Sequence, residues 1–314
     1  MPLRDRPGTG LEYPKSYKPR DEADLREIVA SLDLVNHEYL LKTIPGTAPA
    51  ELSNGRCTKV AGHDPATVLA NCLEIYSRLG EFPLIAEVVP GEANQCIGVT
   101  MVVDRTHTPV VTYGMKRLKL QTYSRGGFVH PYELGSNVYC ESVHDEEAFE
   151  ASTRLTRAAG YYGLVTFEFR RDSRDQKLIL VKADPRFVRA TSLSTALGMD
   201  TPTALYHVFV DGQTEAKGPY PEGVGWLWPT MYLESLWGNR ADRPVRRDLI
   251  ALGRRLRRIR AFAQFSLRDP LPCLMHVQWR GRVWTTDRIR GVVARCVAAI
   301  RRWRAQRVAS PLGG

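Results

Sequence analysis

Three stretches of the chain carry residue types that could do chemistry. Lys42 closes a short apolar run, EYLLKT at 38–43, just before a stretch rich in glycine and proline. A lysine so placed can hold a phosphate as a point charge while loop N–H groups cradle its neighbours. Ala86-Glu-Val-Val-Pro-Gly91 is an apolar strand halted by Pro-Gly. A hinge of this kind can offer backbone donors and acceptors to a flat base, with Glu87 accepting from an amino group. The third stretch pairs Gly163-Leu-Val-Thr-Phe-Glu-Phe-Arg-Arg-Asp172 with Leu180-Val-Lys-Ala-Asp-Pro-Arg-Phe187, two alternating runs with acidic residues on both. The two strands of one hairpin can bring distant carboxylates onto one metal ion. Each stretch is common alone, so the weight falls on their joint order.

The elements that would position them follow from periodicity. Leu25, Ile28, Val29 and Leu32 recur at helical spacing, predicting a helix over 21–34 with Asp21 as its N-cap. The run 65–79 predicts a second helix and 82–89 a strand. Runs 97–103 and 109–113 flank a turn at 104–108 in a hairpin pattern, and 115–121 alternates basic with apolar residues. A helix is expected over 146–159, strands over 164–170 and 177–182, and helical segments over 192–197 and 202–210. Arginine-studded helices are expected near 243–260 and 286–306, their arginines facing water. The class is α+β, with helices covering mostly antiparallel strands.

Composition narrows the field. Of 314 residues, 43% are hydrophobic and 25% charged, which excludes wholesale disorder. No apolar run reaches the ~18 residues of a membrane helix, and the N-terminus carries no secretory signal, so a cytoplasmic location is expected. The six cysteines show neither C-x-x-C nor zinc spacing and read as reduced thiols. The net charge of +10 rests on 35 arginines against nine lysines, with no nucleic-acid-binding motif beside them. A solvated arginine-rich surface is the favoured reading, and contact with nucleic acid or an anionic membrane the weaker one.

In their order the three stretches resemble the ATP-grasp superfamily, particularly its D-aspartate ligase-like carboxylate–amine ligases. There the corresponding stretches read V-V-K-P, Q-E-Y-I-P-G, G-L-x-E-V-E-F-K-R-D and L-L-E-I-N-P-R-F. The likeness covers about residues 10–210, with a further similar element at 262–272. It implies an ATP-grasp fold of two α+β subdomains with a helical, arginine-rich C-terminal extension. Residues 1–20 would be a linker, 21–95 the small subdomain, 96–212 the large subdomain with the metal and phosphate site, and 213–314 the mainly helical extension. It also implies that ATP and Mg2+ are bound, that a small-molecule carboxylate is phosphorylated, and that an amine displaces the phosphate to form an amide. Lys42 would contact the ATP phosphates, with Lys116, Arg117 and Lys119 on the strand near the γ-phosphate. Glu87, Val88 and Val89 would hold adenine, Glu168 and Asp184 the metal, and Arg186 would face phosphate or the acyl phosphate.

Two departures bear on this. The second metal-binding glutamate of the pattern is Lys182 here. Like charges ~4 Å apart repel by ~4 kcal/mol at an effective dielectric near 20, and a divalent ion doubles that. Either Lys182 swings away, or its ammonium does part of the metal's electrostatic work on the phosphates. Relatives also carry about a hundred more residues ahead of this point, a domain-sized segment that a longer gene or a partner protein would supply, or that the protein lacks. The expectation is an ATP-dependent carboxylate–amine ligase impaired at Lys182. The alternative is a degenerate ATP-grasp protein that binds nucleotide or a partner without turnover.

Overall fold

In the computed structural model, which describes residues 10–43, 58–122, 135–212, 217–238, 245–266 and 269–280, the chain is α+β and its strands form two sheets. The first is four-stranded, in the order β1 (Ser16–Tyr17), β4 (Leu84–Glu87), β2 (Tyr39–Lys42), β3 (Thr58–Val60), and wholly antiparallel. Helices α1 (Glu22–Ser31) and α2 (Pro65–Leu79) cover one of its faces. Both are delimited by local chemistry. Asp21 and Asp64 accept from the backbone N–H three residues on, at 2.8 and 2.9 Å. Pro65 occupies the first turn of α2, and Gly80, at φ +72°, closes it. Tyr39, Leu41 and Ile85 meet Leu25, Val29, Val68, Cys72 and Ile75 in the core between sheet and helices. Alternation then turns Leu40 and Lys42 to the opposite face.

The second sheet has seven strands. Its order is β11 (Ile259–Phe262), β10 (Gly225–Leu227), β7 (Gly135–Val143), β6 (Pro109–Thr122), β5 (Cys96–Val103), β8 (Gly163–Arg171), β9 (Leu178–Asp184). Only β10 and β11 run parallel. Helix α3 (Glu146–Ala159), N-capped by Asp145, packs Ala148, Ala151 and Leu155 onto Val99, Met101, Val165, Phe167 and Phe169. The short helices α4 (Thr191–Ala196) and α5 (Thr201–Tyr206) cover part of the other face, with Leu193, Leu197 and Ala204 against Val111, Tyr113, Met115 and Trp226. Helices α6 (Pro229–Gly238), α7 (Val245–Arg255) and α8 (Leu271–Arg280) complete the described chain.

Several expectations change here. The strand beginning at 109 does not stop at 113 but continues through the basic run to 122, and β7 carried no strand expectation. The segment expected to be mainly helical, 213–314, also contributes the short strands β10 and β11 to the large sheet. The helix expected near 243–260 ends at Arg255, and Ile259–Phe262 is a strand whose Ile259 and Ala261 are buried. The arginines there do not all face water: Arg258 and Arg255 hold Glu141 at 3.1 and 3.8 Å. The linker 1–20 supplies β1, and Glu12 bridges to Ile179. Cys72, Cys96, Cys140 and Cys273, the cysteines among the described residues, are free. Among the described residues no helix is long and apolar enough to cross a membrane. The expected helix at 286–306 and the irregular stretch at 44–57 lie outside the described residues.

Candidate functional site

The face of the large sheet is apolar where α3 packs on it, whereas the opposite face changes character along β8. Leu164 packs into the core beneath α4 and α5. The next residues on that face are Thr166, whose hydroxyl lies 2.9 Å from that of Thr100, and then Glu168. In β9, Asp184 pairs opposite Thr166 and Lys182 opposite Glu168, so all four share the face. Arg117 reaches the same place from β6, its Nη2 2.6 Å from Glu168 Oε1. To do so it crosses β5, where the residue opposite Glu168 is Gly98. A β-carbon at Gly98 would sit 3.0 Å from the Met115 side chain, so this strand position is kept open.

The ionic pairing is dense. Lys182 Nζ donates to Asp184 Oδ2 at 2.7 Å, and Arg186 Nε reaches both Asp184 oxygens at 2.8 and 2.7 Å. Burial alone would raise the Glu168 carboxyl, but Arg117 and Lys182 hold it below the ordinary carboxylate range. Burial likewise opposes Asp184, and Lys182 and Arg186 outweigh it, keeping that carboxyl low. Lys42 arrives from the small sheet. Burial depresses its ammonium, Glu168 partly offsets this, and Lys182 adds to the depression. Lys42 therefore lies within electrostatic reach of Glu168 and Lys182 in the large-sheet cluster.

The remaining expected residues divide. Lys119 does not join the site. A bulge shifts the β6–β7 register between Arg117 and Lys119, breaking the shared face that simple alternation predicts. Leu118 packs beside α6, and Lys119 pairs with Asp248 of α7 and lies 5.2 Å over the Tyr232 ring. Lys116, adjacent to Arg117, projects from the opposite face of β6. Glu87 is buried, and its Oε1 is held by His37 Nδ1 at 2.8 Å and Arg174 Nη2 at 3.0 Å. Arg174 also grips Asp172 at 2.6 Å. The Val88 N–H donates to Glu38 O at 2.8 Å, and Val89 O accepts from Arg170 at 3.0 Å. His37, Asp172 and Arg174 were not legible as partners of Glu87, because Arg174 sits in a polar turn 87 residues away. Three positions beyond Arg186, Arg189 lies 5.2 Å over Trp228 and helps line an open cleft of about 390 Å³.

A divalent cation does not fit this donor set. Glu168 is already neutralised by Arg117, both Asp184 oxygens carry cationic donors, and Lys182 stands between the two carboxylates. Among the described residues no group of three or more His, Cys, Asp or Glu side chains could hold a metal.

No protein-family model matches the chain, and no curated protein matches it either. Among solved structures it is similar to the biotin carboxylase domain of Hydrogenobacter thermophilus 2-oxoglutarate carboxylase, at 13% identity and TM-score 0.49, covering 69% of this chain and 46% of that one. It is also similar to N5-carboxyaminoimidazole ribonucleotide synthetase from Thermus thermophilus, at 14% identity and TM-score 0.47, covering 70% and 54%. Biotin carboxylase from Campylobacter jejuni follows at 14% identity and TM-score 0.45, covering 68% and 44%. The chain spans about half the length of these structures. At these scores the likeness assigns neither a family nor an activity.

Proposed function

We propose that this chain is an ATP-grasp protein that binds ATP between its two sheets and belongs by reaction class to the carboxylate–amine ligases. The reading rests on the cluster of Arg117, Glu168, Lys182 and Asp184 on one face of the large sheet, with Lys42, at the end of β2, within electrostatic reach of Glu168 and Lys182. On this reading separate stretches of sequence, two of them motifs with their own chemical reading, would contribute to one cationic cleft. Lys42 and Lys182 would hold the phosphate chain as point charges, and Arg186 would offer a planar fork to the transferred group. The base would lie against Glu87–Val89, where His37 and Arg174 fix the Glu87 carboxylate. The cleft beside Arg189 and Trp228, a cation over an aromatic face, suits a small carboxylate substrate. In the reaction the substrate carboxylate attacks the γ-phosphorus and ADP leaves; an amine then attacks the acyl carbon and phosphate leaves.

A second reading, nucleotide binding without turnover, is favoured by one observation: Lys182 is paired with Asp184 where the resemblance would place a metal. Trapping separates the two. The protein is incubated with ATP, panels of small carboxylates and hydroxylamine, and acyl hydroxamate is measured. Hydroxamate that requires both ATP and one carboxylate supports the ligase. ATP binding with no hydroxamate from any carboxylate supports the second reading, and absence of ATP binding sinks both.

A further inference from the structure

We propose that the cleft receives the nucleotide's polyphosphate as the metal-free anion, with the Lys182 ammonium standing where a divalent cation would otherwise be held. The inference rests on the reading that this cleft binds ATP, and it names the ionic form of the ligand.

Charge is the first ground. Lys42, Arg117, Lys182 and Arg186 bring four cations to a place where Glu168 and Asp184 supply only two anions. The excess attracts ATP more strongly than its magnesium complex, which carries two fewer negative charges. Geometry is the second. To recruit a divalent ion, Glu168 would have to leave Arg117, and Asp184 would have to leave both Lys182 and Arg186. The ion would then sit beside an ammonium. A polyphosphate needs none of these changes. The Asp184 side chain is 13% exposed, whereas those of Lys182 and Arg186 are 45% and 71% exposed. Both cations can therefore turn a donor to an incoming oxygen while keeping contact with the carboxylate beneath. An ammonium offers three donors on a flexible stem, enough to bridge oxygens of adjacent phosphates. The strand register supports this position: Lys182 lies directly opposite Glu168, so its stem starts beside both carboxylates.

The test is calorimetric titration of the full chain with a non-hydrolysable ATP analogue, and separately with inorganic tripolyphosphate, in EDTA and in excess MgCl2. Wild-type protein is expected to bind both probes in EDTA and to bind them about tenfold more weakly with magnesium. Lys182→Glu is expected to lose binding in EDTA and regain it with magnesium. Lys182→Met, which keeps the stem without the charge, should weaken binding in EDTA by about tenfold with an unchanged thermal unfolding curve. Wild-type binding that requires magnesium overturns the inference and leaves the nucleotide site standing. Equal affinity of wild type and Lys182→Met in EDTA also overturns it. No binding of the nucleotide analogue under either condition overturns the reading of the cleft itself, and the inference with it.

Discussion

Replacing Arg117 by methionine tests the electrostatic logic of the site without any ligand. The guanidinium lies 2.6 Å from Glu168, and both side chains are largely buried, 19% and 26% exposed. Removing one partner of a buried pair typically costs 3–5 kcal/mol, because the other charge is left uncompensated. Here Lys182, opposite Glu168, would still offset part of that charge, so about 2 kcal/mol is expected at pH 7. The pH dependence follows from the direction of the shift. In wild type the folded Glu168 carboxyl lies below its unfolded value, so its stabilisation is present above the unfolded value and lost as pH falls through the folded one. In Arg117→Met burial dominates and raises the carboxyl, so the variant gains relative stability as it protonates. Both effects narrow the difference as pH falls from 7 towards 4. Urea unfolding across that range measures it, with the double variant Arg117→Met/Glu168→Gln as control, expected to recover most of the loss. A pH 7 difference below about 0.5 kcal/mol, or a double variant as unstable as the single, would refute the claim that this pair is held by mutual neutralisation.

Lys42→Ala should weaken binding of an ATP analogue by roughly ten- to a hundredfold, the range of a lost charge-assisted contact, while raising or leaving unchanged the thermal midpoint; titration and melting of the same sample check both. Glu141→Ala should strip Arg255 and Arg258 of their common partner, together with the Tyr139 hydroxyl at 2.6 Å. Faster amide exchange across 245–258, with nucleotide affinity unchanged, is the expected result. Gly91→Ala should destabilise by about 1–3 kcal/mol, because the residue sits at φ +151° and a β-carbon there would lie 2.4 Å from Gln95 Oε1 and 3.1 Å from Arg171 O; a urea melt measures it.

What could be read in advance divides by the range of the physics. Helices α2 and α3 carry their own start and stop signals, so their spans follow from Asp64, Pro65 and Gly80, and from Asp145 and Gly160. The β8–β9 hairpin was legible because its alternation is local. Strands β7, β10 and β11 depend on partners far along the chain; β10 and β11 are three and four residues long, and no local pattern distinguishes them from loop. The same divide runs through the site. Lys42, Glu168, Lys182, Asp184 and Arg186 lie in or just beyond strands readable in the sequence, while their specific roles were implied by the resemblance. Lys119 could not be excluded, because the register shifts just before it and shifts back just after it, and so local an irregularity leaves no mark in the hydrophobic pattern. Nor could the Arg174–Glu87 contact be anticipated, since it joins a turn of one sheet to the end of an interior strand of the other.

The cation cluster is difficult to account for as a stabilising device. Arg117 with Glu168, and Lys182 with Asp184, would by themselves form two neutral pairs on the open face of the sheet. Lys42 adds a further charge that is buried enough to depress its own ammonium, and Glu168, the anion that partly offsets this, is already neutralised by Arg117. An apolar residue at the end of β2 would continue the buried character of Leu40 and Leu41 without that cost. Arg186 adds a second cation to a carboxylate that Lys182 already satisfies. The buried Lys42 ammonium therefore carries an electrostatic cost in the fold without ligand, and an entering anion would offset it. A protein that merely kept an old scaffold would be free to lose Lys42 at a gain in stability. The excess positive charge is intelligible if the cleft is built for a polyanion, and that requirement is the same whether the bound phosphate is transferred or only held.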